Sequence, residues 1–223
     1  MGYQLKVDLK LPEIESAVVL APFDKAFETL VDNGYGIISL AQNAEVRILQ
    51  EPNPMRDFVS NLTREAIMHF PKGGNKRLIR DSPALYSPYG ATKMTGESGI
   101  IGEVEGEFYP TKEQIEFSLE GSFELPRNNF EIPTDRFDSD DLTVYCFGGS
   151  ESARTYGEFL RELGIFNMPI TLLDDNYVNG KDKPFVRQML FRGLGIKDSL
   201  SGLYGHFRGL NHGCELRGIK LLS

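Results

Sequence analysis

The chain has 223 residues, of which 40% are hydrophobic and 25% charged, the balance of an ordinary globular protein rather than a disordered one. No run approaches the roughly 18 apolar residues that a membrane helix needs, and the first residues lack a secretory signal, so we expect a cytoplasmic protein without a membrane partner. The net charge of −8 argues against a uniformly basic nucleic-acid binder, and the two cysteines cannot provide a disulfide framework or the spacing of a four-ligand zinc site.

The first elements follow clear hydrophobic periods. Residues 3–11 alternate apolar and polar side chains, which predicts a strand with one buried face, and residues 16–21 predict a second strand. Apolar residues at helical spacing from Phe23 to Val31 predict an amphipathic helix that ends at Asn33-Gly34. Three more elements are predicted before a long loop over 75–99, namely short strands at 36–40 and 46–50 and a helix at 57–70. A short strand at 77–80 is predicted within that loop.

The middle of the chain is acidic. A strand is predicted at 100–109, and Thr111 to Gln114 has the form of a capping box that opens a short helix. The acidic, proline-containing segment 126–141 is the best candidate for a linker. We therefore predict a mixed α+β domain over 1–125 and a small α/β domain with a glycine-rich basic tail over 142–223, with one continuous domain as the alternative.

The second half is predicted to contain a parallel β-α-β unit. The apolar run 142–147 favours a buried strand, 151–163 has helical spacing, and 169–173 is apolar again until Asp174-Asp175. A third helix is predicted at 183–191. The fold class is accordingly α/β or α+β, a mixed α+β N-terminal half followed by a C-terminal half that contains this unit.

The carboxyl edge of that unit is the first candidate site. Ligands of open parallel sheets bind beyond the strand ends, where glycines permit close approach and helix N-terminal amides hold phosphate. We therefore predict binding of a phosphate-bearing small molecule or nucleotide at 142–175, although a tight turn and a helix cap explain the same residues and no motif identifies a cofactor. The residues assigned to this ligand are Gly148, Gly149, Ser150, Ser152, Asp175 and Arg208.

A serine hydrolase is an alternative for the same edge. The sequence Gly148 to Ser152 resembles the G-x-S-x-G nucleophile elbow, with Ser152 in place of the last glycine. Ser150 would be the nucleophile, Asp174 the acid, and His206 or His212 the base. His206 and His212 could also bind a metal together with Cys214, but no distinct fourth ligand follows, so no metal site is predicted.

Two basic regions support a third hypothesis, a non-enzymatic nucleic-acid-binding module. They span 64–93 and 181–220 and flank the acidic middle of the chain. Aromatic, glycine and arginine residues alternate in the tail, a composition that can stack on the bases of a single strand. The predicted phosphate contacts are Lys72, Lys76, Arg77 and Arg80, for which a solvated loop is the simpler explanation.

Overall fold

The computed structural model describes residues 3–50, 60–73, 75–95, 106–126, 128–193, 201–205, 210 and 214–222. These residues contain eleven strands in one mixed sheet and seven α-helices. The strands are β1 (Leu5–Lys10), β2 (Ile14–Ala21), β3 (Gly36–Ile37), β4 (Asn61–His69), β5 (Lys76–Ile79), β6 (Phe123–Leu125), β7 (Phe130–Pro133), β8 (Asn167–Thr171), β9 (Phe185–Phe191), β10 (Leu203–Tyr204) and β11 (Cys214–Leu221). The helices are α1 (Phe23–Asp32), α2 (Leu40–Leu49), α3 (Pro88–Thr95), α4 (Lys112–Leu119), α5 (Asp141–Phe147), α6 (Ser150–Glu162) and α7 (Asp175–Asn179).

The sheet runs in the order β1-β2-β11-β4-β9-β10-β8-β7, and β3 also pairs with β11. Strand β4 is central, since β9 lies antiparallel along one edge while β11 and then β5 lie along the other. Strands from the two predicted parts of the chain pair directly, β4 with β9 and β2 with β11. The division of the chain into domains itself stays a prediction.

Two hydrophobic cores lie on opposite faces of the sheet. One contains α5 and α6, and the other contains α1 and α3. Successive residues of β4 enter different cores, with Ile67 in the first and Ala66 and Met68 in the second. This alternation follows from the period of two along a strand, and it buries β4 on both faces.

Several predicted elements are confirmed, as is the mixed α and β class. Strands β1, β2, β5 and β8 and helices α1, α4 and α6 lie where their sequence patterns predict them. The predicted capping box is present, since the side chains of Thr111 and Gln114 each accept a hydrogen bond from the other's backbone amide. Cys146 is a buried free thiol.

Two predicted helices are strands. The segment predicted as a helix at 57–70 contains β4, and the one at 183–191 contains β9. Both strands lie inside the sheet and are buried over nearly their whole length, so their side chains need not alternate in polarity. The apolar residues then recur at spacings that also suit a helix, and periodicity alone cannot separate the two structures.

Two predicted strands are helices, and the predicted loop at 75–99 contains α3. Residues 46–50 lie at the end of α2, which opens with a capping box between Ser39 and Gln42. Residues 142–147 lie in α5, which begins where the Asp140 side chain accepts from the Thr143 amide and ends at Gly148 with φ 80°. The stretch 141–175 is therefore helix, helix, strand, and the predicted parallel β-α-β unit is absent.

The strand predicted at 100–109 falls mostly outside the described residues. Of its described part, Phe108 forms an isolated antiparallel bridge with Val186 of β9. No helix in the described part of the chain is long and apolar enough to cross a membrane.

Candidate functional site

A fully buried carboxylate lies beside the start of β9. Phe108 and Val186 exchange backbone hydrogen bonds of 3.0 and 2.8 Å, which sets Glu107 next to Arg187. The Arg187 Nη2 atom donates to Glu107 Oε1 at 2.7 Å, and neither side chain has exposed surface. The Lys181 Nζ atom donates to Glu107 Oε2 at 2.9 Å. One carboxylate thus neutralises part of the charge of two cations.

Two tyrosines complete the hydrogen bonding of that carboxylate. The Tyr109 hydroxyl donates to Glu107 Oε2 at 2.6 Å, and the Tyr177 hydroxyl donates to Oε1. Each carboxylate oxygen therefore accepts one tyrosine and one cationic donor, which is the satisfaction that a buried charge requires. We call Glu107, Tyr109, Tyr177, Lys181 and Arg187 the Glu107 cluster.

The protonation states in the Glu107 cluster follow from burial and these bonds. Burial by itself would raise the pKa of Glu107, but hydrogen bonds from Tyr109, Tyr177 and Lys181 outweigh it and hold the pKa below 4.5. Burial, together with the bond to Glu107, raises the pKa of Tyr109 to about 12. At Lys181 burial alone would lower the pKa, but hydrogen bonds with Glu107 and Tyr177 outweigh it and raise the pKa. At neutral pH the carboxylate and ammonium are charged, and Tyr109 remains a donor.

Helix α7 is tied to the β4–β5 turn at two further points. The Lys76 ammonium, which is almost fully buried, donates to the Leu173 carbonyl and lies 2.7 Å from an Asp175 carboxylate oxygen. The Asn179 side-chain oxygen accepts from the Gly73 amide at 3.1 Å. Together with Tyr177, these contacts hold both ends and the middle of α7 against the sheet.

His69 ends β4 underneath this region. Its ring stacks on Phe185 with centroids 4.9 Å apart, and both ring nitrogens are buried without a hydrogen-bond partner among the described residues. Burial, followed by the charges of Lys76 and Arg187, lowers the pKa of His69 to about 3. The ring is therefore neutral, and it packs as an aromatic surface rather than serving as an acid or base.

The outer side of this region is the candidate site, which we call the α7 surface. It comprises the side chains of Tyr109, Asp175, Tyr177, Asn179 and Lys181. Tyr109 is 37% exposed and the Asp175 side chain 44% exposed, while Tyr177 and Lys181 are partly exposed and Asn179 is open to solvent. The surface therefore offers aromatic rings, both signs of charge and an amide on a firmly held support.

The structure brings together some residues of the predicted sites. Lys76, one of the predicted nucleic-acid contacts, and Asp175, from the predicted small-molecule phosphate site, form an ion pair. Asp174 instead caps α7, since its Oδ1 atom accepts from the Asn176 amide at 2.8 Å. Lys72 is exposed in the turn before β5, with φ 62°.

The remaining predicted polyanion contacts point elsewhere. Lys76 and Arg77 follow each other on β5, so their side chains leave opposite faces of the sheet. Arg77 bonds to Glu124 and Ser122, and the Arg80 guanidinium lies 4.2 Å from the ring centre of Tyr145. These cations have partners within the protein and do not form one anion-binding surface.

The predicted phosphate loop is a turn between two helices. Gly148 ends α5, Gly149 has φ 139°, and Ser150 begins α6. Because a helix precedes Ser150 where a nucleophile elbow requires a strand, the geometry of a hydrolase is missing at this turn. Ser152 lies on α6 and lines a groove against α2. The other predicted members, His206, Arg208 and His212, lie outside the described residues.

Sequence reasoning missed the Glu107 cluster. Its members come from three separate segments, and Glu107 and Arg187 are 80 positions apart. One signal was available, because Arg187 is the one charged residue of β9, whose other residues are apolar except for Gln188, and a buried charge needs a partner. Among the described residues, no group of three or more His, Cys, Asp or Glu side chains is placed to hold a metal ion.

Comparison with known proteins identifies the fold. No family model and no curated protein matches the sequence. A solved structure described as "Accommodation of massive sequence variation in Nanoarchaeota by the C-type lectin fold" is similar to this chain with a TM-score of 0.63 and 16% identity. The match covers 99% of this chain and 98% of that chain. The chain thus has a C-type lectin-like fold.

This fold corrects the functional predictions. A C-type lectin-like fold over nearly the whole chain, with no β-α-β unit at 142–175, contradicts the predicted nucleotide or phosphate site. The serine-hydrolase alternative is wrong at its first requirement, since Ser150 follows a helix. The predicted nucleic-acid module is corrected as well, because Lys76, Arg77 and Arg80 contact other parts of the protein and form no shared anion-binding surface.

Proposed function

We propose that this protein is a recognition module that binds a protein partner through the α7 surface. The observation that carries the proposal is the Glu107 cluster, in which one buried carboxylate holds the hydroxyls of Tyr109 and Tyr177. Ordering a side chain at an interface costs about 0.5–1.5 kcal/mol, and this cost is smaller when the side chain is already held in the free protein.

The chemistry of the surface favours a protein as the partner. Tyrosine supplies a large contact area with a polar end, and it is enriched at protein interfaces and in antibody-combining sites. Lys181, Asp175 and Asn179 surround the rings with a donor, an acceptor and an amide. Such a mixture suits the backbone and side chains of another polypeptide.

The fold supports a division of labour in which buried residues hold the structure and exposed residues bind the partner. The similar solved structure is described as a C-type lectin fold that accommodates massive sequence variation. In our proposal the buried ion pair of Glu107 and Arg187 keeps its geometry, while the exposed residues of the α7 surface set which partner is bound. Binding then requires no catalytic group.

A synthetic peptide library tests the proposal. Phage-displayed cyclic peptides are selected on the immobilised wild-type protein, and each selected peptide is then measured against Tyr109→Ala. Truncating a central interface residue removes 2 kcal/mol or more, so we expect a loss of about thirtyfold or more in affinity for most peptides. Peptides that bind Tyr109→Ala as tightly as wild type would overturn the proposal.

Two further variants separate recognition from folding. Tyr89→Ala is the matched control, because Tyr89 is an exposed tyrosine on α3 whose described ring contact is with Lys93. We expect this variant to bind like wild type. Tyr109→Phe keeps the ring but loses the bond to Glu107, so an intermediate loss is expected, with urea unfolding confirming that each variant is folded.

A further inference from the structure

A second region of the protein has the properties of a small-molecule site. A groove of about 590 Å³ lies between α1, β3 and the turn that follows β5, and we call it the α1 groove. Apolar side chains from all three elements form part of its lining: Phe27, Val31, Ile37, Leu85 and Tyr86. The groove is far along β4 from the Glu107 cluster, since Arg64 lines it and His69 ends the strand at the other site.

Ser82 gives the groove an unmet polar group. Ser82 forms part of the lining and is completely buried. Its hydroxyl has no hydrogen-bond partner among the described residues. Buried hydroxyls in native proteins are normally paired, so this one has capacity for a ligand that carries a donor or acceptor.

The charges around the groove favour a cation. Three carboxylates, from Glu28, Asp32 and Asp81, line it together with one guanidinium, from Arg64. The Arg64 Nε atom lies 3.4 Å from Asp81, so these two charges largely offset each other. Glu28 lies 3.4 Å from Lys25, whereas Asp32 has no ion-pair partner among the described residues.

The end of α1 strengthens this negative potential. Asp32 is the last residue of α1, and the last turn contains no basic residue. The carbonyl groups at a helix C-terminus carry about half a negative charge, which attracts cations. Asp32 adds a full negative charge at the same end, and the Tyr86 ring, which is 45% exposed, can contact a cation through its face.

We infer that the α1 groove binds a small organic cation with an apolar body. Its ammonium group lies near Asp32 and donates to the Ser82 hydroxyl, while its hydrocarbon part contacts Phe27, Val31 and Leu85. This inference is independent of the α7 surface, and either site can fail without the other.

Three probes of one shape and different charge test the inference. They are 2-phenylethylamine, 2-phenylethanol and 3-phenylpropionate, each measured with the full chain by titration calorimetry and saturation-transfer NMR. We expect the amine to bind about tenfold more tightly than the alcohol and more tightly still than the carboxylate. Its affinity should fall as salt is added. Equal affinities, a preference for the carboxylate, or no binding of any probe would overturn the inference.

Matched variants locate the site. Asp32→Asn removes the exposed carboxylate and is expected to weaken amine binding about fivefold, while Asp135→Asn, an exposed aspartate on another turn, leaves it unchanged. Ser82→Ala should also weaken the amine while the protein stays folded, because the hydroxyl bonds to no described group. Wild-type affinity in Asp32→Asn would show that the amine binds elsewhere and would refute the site.

Discussion

The Glu107 cluster and the α1 groove lie at different points of the same central strand, and they treat buried polar atoms in opposite ways. In the cluster both oxygens of Glu107 are fully bonded. In the groove the Ser82 hydroxyl is buried and has no hydrogen-bond partner among the described residues. A fully bonded buried carboxylate holds the groups around it in place, whereas a buried hydroxyl without a partner reduces stability unless a ligand bonds to it. The Glu107 cluster is therefore a structural support, which we call the frame of this region, and the α1 groove is a site with room for a ligand.

The largest expected effect comes from breaking the frame. Glu107→Gln leaves Arg187 and Lys181 without their carboxylate, so we expect the free energy of unfolding to fall by about 3–5 kcal/mol in urea denaturation. The matched control is Glu124→Gln, because Glu124 pairs with Arg77 at 3.1 Å on the surface, where an ion pair contributes about 0–1 kcal/mol. If the two substitutions cost the same, the cluster is not the frame of this region.

A second prediction concerns Glu65, which lies next to Arg64 on β4. Burial raises the pKa of Glu65 to about 7, although both of its carboxylate oxygens accept from the Leu40 amide. The folded protein therefore holds this proton more tightly than the unfolded chain does. The contribution of Glu65 to stability should fall as pH rises from about 4.5 to about 7, by about 3 kcal/mol, and stay level above that.

The variant Glu65→Gln tests this pH dependence. Because glutamine does not titrate, the variant lacks this contribution. The difference in the free energy of unfolding between wild type and Glu65→Gln should therefore fall between pH 4.5 and 7 when both proteins are measured at each pH. An unchanged slope in the variant would assign the pH dependence to another group.

A third prediction concerns the buried His69 ring beneath the Glu107 cluster. His69→Phe keeps an aromatic ring against Phe185 and removes two buried nitrogens that have no partner among the described residues, so we expect a gain of about 1–2 kcal/mol at pH 7. Because the folded pKa of His69 is about 3, the unfolded chain binds the proton first as the pH falls. The contribution of His69 to wild-type stability should then decrease from about pH 6.5 toward 3, so the stability gain of His69→Phe over wild type should widen over that range. A variant that is less stable than wild type at every pH contradicts this account.

The smallest expected effect compares two buried hydroxyls. Ser82→Ala removes a hydroxyl that bonds to no described residue, so stability should change by less than about 1 kcal/mol, with a gain as the expected sign. Thr143→Val removes a hydroxyl that donates to the Phe137 carbonyl at 2.6 Å, so a loss of about 1 kcal/mol is expected. Thermal unfolding of both variants measures the difference. A greater loss at Ser82 would mean that its hydroxyl already has a partner.

The sequence alone predicted the elements whose signals are local. The sequence of β1 alternates apolar and polar residues, although a register shift between Val7 and Leu9 interrupts the pairing, and α4 has a capping box whose two members are only three residues apart. The mixed α and β class followed from such elements. Ser39 and Gln42 carry the same kind of signal for α2, so that helix was also within reach of sequence reasoning.

The tertiary structure decided the central strands and the candidate site. β4 and β9 become strands because neighbours cover both their edges and both their faces, and that environment outweighs the helical spacing of their apolar residues. Glu107 contacts Arg187 because the bridge between Phe108 and Val186 places the two residues side by side. A local sequence pattern reflects which face of a segment is exposed to water. A buried ion cluster depends on contacts between residues far apart in the chain, and no local pattern contains that information.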